Sequence, residues 1–225
     1  VKTLFGRAAY AMSTEETRYY LNGVYMHVVG GGLVVVATDG HQLARVSVLS
    51  PTADVPAVII PRQMVGEIQR LDADLTVSLS QSKIRVETGS VVITSKLVDG
   101  NFPDYERVIP RQNDKVAVIA SEALAGAVAR VSAIQDRSSR AVRFELAGDS
   151  AALSATGPEG KSASDEIAIE YSAEPITIGF NGEYVTGTLA AIGTPTVSLK
   201  LGDPGSPALL CGDDTSLHVI MPLRV

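Results

Sequence analysis

Twice in this chain an apolar strand feeds a helix with no loop between them, and that arrangement restricts the fold more than any other feature. Residues 57–61, AVIIP, run straight into a helix over 62–71 whose apolar stripe is Met64, Ile68 and Leu71, with Arg62, Gly66, Gln69 and Arg70 on the opposite face. About 120 residues further on, ITIGF at 176–180 leads in the same way into a helix over 181–192. That offset is the length of a whole domain. The surroundings repeat as well. In the first half a helix over 1–12 sets Phe5, Ala8, Ala9 and Met12 against Lys2, Gly6 and Arg7, and RYYLNGVYMHVV from Arg18 reads as a strand. In the second, Ser121 suits the N-cap of a helix carrying Leu124, Val128, Val131 and Ile134, with Arg130 turned away. Short strands fill the rest, closing with LHVIMPLRV. The expectation is an α+β chain made of two copies of one domain, each with two helices packed on antiparallel sheets. The domains are 1–110 and 111–225, joined inside the Pro-, Gly-, Asp- and Asn-rich stretch at 98–115.

The most informative local pattern is LVVVATDGHQLARVSV, residues 33–48. Asp39 and Gly40 suit a tight turn between two strands. In the second strand Ala44, Val46 and Val48 share one face, which leaves Leu43 with Arg45 and Ser47 on a polar side beside His41. Leu43 is therefore expected to be exposed. At the carboxyl end Val219 and Met221 share a face and Pro222 and Leu223 follow. Methionine suits a surface that must accept varied partners, because its unbranched thioether repacks readily.

Composition limits the function classes. The 225 residues are 45% hydrophobic, enough for real cores, and the net charge of −6 argues against a general pull toward nucleic acid or anionic lipid. Any phosphate contact must come from local clusters, and Lys2, Arg7, Arg62, Arg70 and Arg130 on the wet helix faces are the candidates. One cysteine, Cys211, rules out an internal disulfide framework and fits a reducing compartment. No apolar run approaches the roughly 18 residues of a membrane span, so a cytoplasmic chain with no membrane partner is expected. It begins at Val1, without methionine and partway into a helix, so an N-terminally truncated chain is expected too. His27, His41 and His218 lack metal-ligand spacing, and no bound metal or cofactor is expected. An acid–base site would draw on Asp39, His41, Asp99 and Asp104, but each of these aspartates stands where turn formation explains it.

RYYLNG, TDGHQLARV, SKLVDGNFPDYERVIP and the ending VIMPLRV, in this order along the chain, resemble the bacterial DNA polymerase III beta subunits, the replication sliding clamps. The resemblance implies the second and third of three DNA-clamp domains, the first being absent, and a non-catalytic processivity factor. In the family two chains form a homodimer ring around duplex DNA; the present chain alone is expected not to close one. It implies that Lys2, Arg7, Arg62, Arg70 and Arg130 face DNA phosphates without reading sequence, and that Arg18, Tyr19 and Tyr20 belong to a DNA-touching loop. It further implies a groove for short linear motifs of DNA polymerase, clamp loader and repair proteins, formed by Leu21, Thr38, Gly40, His41, Gln42, Leu43, Pro103, Arg107, Val108, Val219 and Met221. An adjoining subsite would use Asn181, Tyr184, Pro207, Pro222, Leu223 and Arg224. Gln42 replaces an arginine common in the family, and Val225 a frequent leucine. The alternatives are a non-replicative peptide-binding scaffold and a hydrolase using Asp39 and His41.

Overall fold

The computed structural model describes residues 2–49, 55–71, 74–136 and 140–225. Val1 and most of the Pro-bounded loop before AVIIP lie outside them. The chain divides into two compact units, Val1–Tyr105 and Glu106–Val225, within the stretch that composition marks as the junction.

Unit 1 opens with α1 (Lys2–Ala8), which buries Leu4, Phe5 and Ala8. β1 (Gly23–Val29), β2 (Gly32–Thr38) and β3 (Gln42–Leu49) form an antiparallel meander, and β4 (Val58–Pro61) pairs with the outer side of β1. β4 passes directly into α2 (Arg62–Arg70). The second sheet is β5 (Thr76–Leu79), β6 (Lys83–Thr88) and β7 (Val91–Lys96), in that order. Phe5 from α1, Met64, Val65 and Ile68 from α2, Val24 and Val35 from the first sheet, and Ile84 and Val86 from the second meet in one core.

Unit 2 has β8 (Lys115–Ala120), α3 (Ser121–Ser132), β9 (Ala141–Ala147), β10 (Ser150–Thr156), β11 (Ser162–Ala168), β12 (Glu170–Tyr171) and β13 (Ile176–Asn181). α4 (Gly182–Ile192), β14 (Thr196–Leu201), β15 (Ala208–Cys211) and β16 (Ser216–Ile220) complete it. One sheet runs β11-β10-β9-β13, the counterpart of β3-β2-β1-β4, and the other runs β12-β8-β14-β15-β16. Both helices pack into a core that includes Leu124, Val128, Phe144, Leu153, Phe180 and Leu189.

Both units therefore have two helices on antiparallel sheets, and the loop-free strand-to-helix step has a simple cause. An N-cap residue takes extended φ/ψ, so the last strand residue can serve as one. Pro61 (φ −65°, ψ 148°) does this for α2 and Asn181 (φ −67°, ψ 119°) for α4.

Four sequence expectations are corrected. Ser121 does not cap α3: β8 runs into the helix, Ala120 holds the cap position, and the Ser121 N–H donates to Pro195 O. RYYL is not strand. Residues Glu16–Leu21 form 3-10 turns folded back on the end of α1, with the Ser13 N–H donating to Leu21 O, and β1 starts only at Gly23. The strand predicted over DEIAIEYS breaks at Ile169, where the chain leaves β11 for β12 in the other sheet. The terminal strand ends at Ile220, because Pro222 has no N–H to continue a ladder.

Ile68, fully buried in unit 1, and Leu49, 90% exposed on β3, give contrasting tests. Ile68→Ala is expected to cost about 2–5 kcal/mol and Leu49→Ala less than about 0.5 kcal/mol, read from urea unfolding followed by circular dichroism.

Candidate functional site

In unit 1 the turn between β2 and β3 is built by side chains. Asp39 Oδ1 accepts the main-chain N–H groups of His41 (2.8 Å) and Gln42 (2.9 Å), and Oδ2 accepts Gln42 Nε2 (3.0 Å). Thr38 Oγ1 donates to Gln42 O (2.7 Å) and accepts the Gly40 N–H (3.1 Å). Arg18 reaches across to donate to Asp39 O (3.2 Å) while ion-paired to Glu15 (2.9 Å). Gly40 has φ +92°, and a Cβ there would stand 2.7 Å from Arg18 Nη1. The positive φ favours glycine, and a side chain there would also push the Arg18 guanidinium aside.

This turn presents Gly40 and His41 to solvent, with Pro103 also exposed. Thr38, Gln42, Leu43 and Leu21 are buried, which corrects the expectation of an exposed Leu43. β2 is buried at every position and β3 at Gln42, Leu43, Ala44 and Val46. Alternation holds where one face of a sheet is wet, and here it fails because both faces are covered. Asp39 is committed to holding the turn, so it is not poised as an orienter for the His41 ring. His27 Nε2 lies 3.0 Å from the Tyr105 hydroxyl, and His218 is fully buried on β16. Cys211 is half-buried on β15, and burial, the leading cause, pushes its thiol up, the opposite of nucleophile activation. Among the described residues no cluster of His, Cys, Asp or Glu could hold a metal ion.

In unit 2 the chain beyond β16 makes a cleft. Val219 is buried, whereas Met221 and Leu223 are 38% and 40% exposed. The Leu223 N–H donates to Gly179 O on β13 (2.8 Å), so the tail lies against that strand. Pro222, Leu223, Arg224 and Val225, with residues 177–179 and the turn at Pro204 and Gly205, line a cavity of about 700 Å³. The turn is held by Asp203, whose Oδ2 accepts the Ser206 hydroxyl (2.6 Å) and whose Oδ1 accepts the Gly205 N–H (2.8 Å). The Ser206 bond first, then Gly205, holds this carboxyl below the usual aspartate range. Pro207 does not line the cavity; its carbonyl accepts Asn113 Nδ2 (2.9 Å). The proline of this turn that lines it is Pro204, in Asp203-Pro204-Gly205, itself a turn signature. Asn181 is buried, its Oδ1 capping α4 by accepting the Glu183 N–H (3.0 Å), and Tyr184 packs half-buried on the core. Arg107 and Val108 are exposed on the 3-10 turn Tyr105–Val108.

The candidate DNA-facing cations have internal partners. Lys2 Nζ donates to Leu71 O (2.6 Å) at the end of α2, where a cation complements the helix dipole. Arg62 Nη2 donates to Met12 O (2.8 Å) and Ser13 O (2.5 Å). Arg70 pairs with Glu67 (2.8 Å) and Arg130 with Asp165 (2.6 Å), yet their side chains remain 75% and 64% exposed. The Arg130 hydrogen bond, with the Glu166 N–H second, holds Asp165 below its ordinary pKa. Arg7 is half-buried, and Tyr19, 55% exposed, meets Tyr20 edge to face at 5.7 Å.

Comparison with known proteins matches the whole of this architecture. Residues 1–104 fit the family model of the DNA polymerase III beta subunit central domain, and 106–224 that of its C-terminal domain. The chain belongs to the DNA polymerase III beta subunit family. The beta sliding clamp of Caulobacter vibrioides is 41% identical over 99% of the chain, which spans 63% of that relative's length. Among solved structures, a DnaN sliding clamp from Bartonella birtlesii bound to griselimycin is 42% identical with TM-score 0.95. It covers all of this chain and 63% of its own. The Caulobacter crescentus beta sliding clamp superimposes with TM-score 0.96 at 39% identity, again over all of this chain and 63% of that one.

In this beta-subunit chain the Asp203 turn gives a direct test. A carboxyl with a depressed folded-state pKa contributes stability above its unfolded pKa and loses it as pH falls through the folded value. Ser206→Ala is expected to raise the Asp203 midpoint toward an ordinary aspartate, measured by carboxyl carbon NMR titration.

Proposed function

We propose that the chain works as a sliding clamp, a processivity factor without a catalytic site of its own. As part of a homodimer ring it encircles duplex DNA in the cytoplasm and tethers DNA polymerase, clamp loader and repair proteins. The supporting observation is the match of both units, in order, to the family's central and C-terminal domains, together with a tail that leaves Met221 exposed and sets Leu223 over an open cleft.

The proposed docking surface takes short linear motifs. Leucine or phenylalanine side chains of the motif enter the cleft beneath Pro222, Leu223 and Arg224. His41, Gly40 and Pro103 are the proposed peptide contacts of unit 1 by itself, and Arg107 with Val108 are further proposed contacts of unit 2. Leu21, Leu43, Thr38, Gln42, Val219 and Asn181 act from beneath by fixing the shapes that carry the exposed groups. An edge strand with an apolar hollow beside it suits an extended peptide, whose backbone supplies affinity and whose side chains supply specificity.

On the helix faces, Arg70 and Arg130 are the proposed phosphate contacts, joined by Lys2, Arg7 and Arg62 and by the Arg18–Tyr20 loop. A ring retains its DNA by topology, so these contacts can be weak and salt-sensitive, which permits sliding. The pairing of Arg70 with Glu67 and Arg130 with Asp165 moderates the attraction further.

Met221→Ala and Leu223→Ala are each expected to weaken a fluorescein-labelled clamp-binding peptide by about 1–3 kcal/mol. Unchanged anisotropy titrations for both would refute the docking surface. Asp165→Asn should release Arg130, strengthen duplex binding at low salt and steepen its salt dependence by about one unit of log–log slope. A flat response would remove Arg130 from the DNA contacts.

A further inference from the structure

Unit 1 contains a counterpart of the unit 2 cleft, assembled from the corresponding elements in the same order. In unit 2 the chain leaving β16 bonds once to the edge strand β13, and the β14–β15 turn closes the hollow. In unit 1 the chain leaving β7 repeats this. The Val98 N–H donates to Ile59 O on β4 (2.9 Å), in an isolated bridge like that between Leu223 and Gly179. The β5–β6 turn at Gln81 and Ser82 then closes a cavity of about 640 Å³. The clamp function proposed above makes no use of it.

The walls of this second hollow differ in chemistry. Lys83 and Lys96 stand directly opposite each other in the β6–β7 register, both exposed, and neither ammonium has a partner among the described residues. Like charges facing across a strand pair repel, so this pair does not stabilise the ladder and sets two positive charges side by side on the rim of the hollow. Asp99 also lines the cavity, leaving one more ammonium than carboxylate. The aromatic wall is Tyr25, stacked on Phe102 at 4.8 Å and 6° and on His27 at 4.7 Å. With its faces taken by Phe102 and His27, Tyr25 offers its edge, which suits an edge-to-face contact with another ring.

We propose that this hollow is a second peptide-docking site, selective for a short acidic segment with an aromatic anchor. The anchor packs on Tyr25, and the carboxylates lie between Lys83 and Lys96. The shared architecture is read as shared use, so the inference rests on the unit 2 cleft being a peptide site, while the lysine pair is independent of that reading. Asp99 inside the cavity disfavours a nucleic acid strand, whose every residue carries a phosphate.

The test is amide NMR of the ¹⁵N-labelled chain titrated with a synthetic peptide of aspartate and glutamate followed by phenylalanine and leucine. A basic analogue and oligodeoxythymidine serve as comparison probes. Saturable shifts at Ile59, Ser82 and residues 96–100 are expected, persisting in Leu223→Asp and weakened about tenfold or more in the Lys83→Glu, Lys96→Glu double variant. Amides of β2 and β3 in the same unit, away from the hollow, report whether unit 1 of that double variant is folded. Shifts confined to unit 2 overturn this inference and leave the clamp reading intact. Shifts confined to unit 1 uphold it and count against the unit 2 cleft. No shift in either unit defeats both, and equal response to the basic peptide or preference for oligodeoxythymidine overturns the acidic-peptide assignment.

Discussion

Extended backbone at two residues, Pro61 and Asn181, is the constraint on which each unit rests. Each residue ends a ladder, Pro61 opposite Gly23 and Asn181 opposite Ala141, and each is also the residue from which a helix starts. With no loop to absorb error, the direction of the helix is set by the strand end. Met64, Val65 and Ile68 on α2, and Val185, Leu189 and Ile192 on α4, then fall into the core, while the opposite faces are left to polar residues. The same strands carry the outer edges on which Val98 and Leu223 each make a single backbone bond. Core, helix face and cleft thus follow from one local conformation, which Ala120 adopts as well where β8 enters α3.

Charge is handled locally throughout. The basic groups of the helix faces close helix ends, as Lys2 does at Leu71, or bridge carbonyls, as Arg62 does at Met12 and Ser13, or meet neighbouring carboxylates. Exposed pairs of this kind contribute little to stability. Their effect is to temper the positive field while leaving Arg70 and Arg130 accessible. A chain of net charge −6 can in this way keep basic patches without a general attraction for polyanions.

The duplicated α+β architecture was legible because its signals are strong: helical stripes, alternating strands, and a repeat at domain spacing. Three-dimensional coverage was not. Leu43 reads as exposed from alternation, yet β3 is covered on both faces there, and no local pattern encodes what covers it. RYYL has strand-like composition, but its backbone partners are Ser13 and the residues of its own turns. The tail residues Pro222, Leu223 and Arg224, named through resemblance, line a cleft, whereas the part of Pro204 and Gly205 in that cleft was not legible because a loop's aim depends on the Asp203 bonds that fold it. The second hollow was invisible in the sequence, since Ile59, Ser82 and Lys96 are too far apart in the chain to form a motif.

In unit 2 the chain crosses from one sheet to the other at Ile169 with no connecting segment, its N–H donating to Asp149 O and its side chain buried. Residue 168 is thereby laddered to β10 and residue 170 to β8. A seam of this kind ties two layers into one cooperative block: neither can open far without dragging the other's hydrogen bonds apart. Amide exchange in the two layers of this unit should accordingly share a common slow process, and the tail that rests against β13 borrows its rigidity from that block.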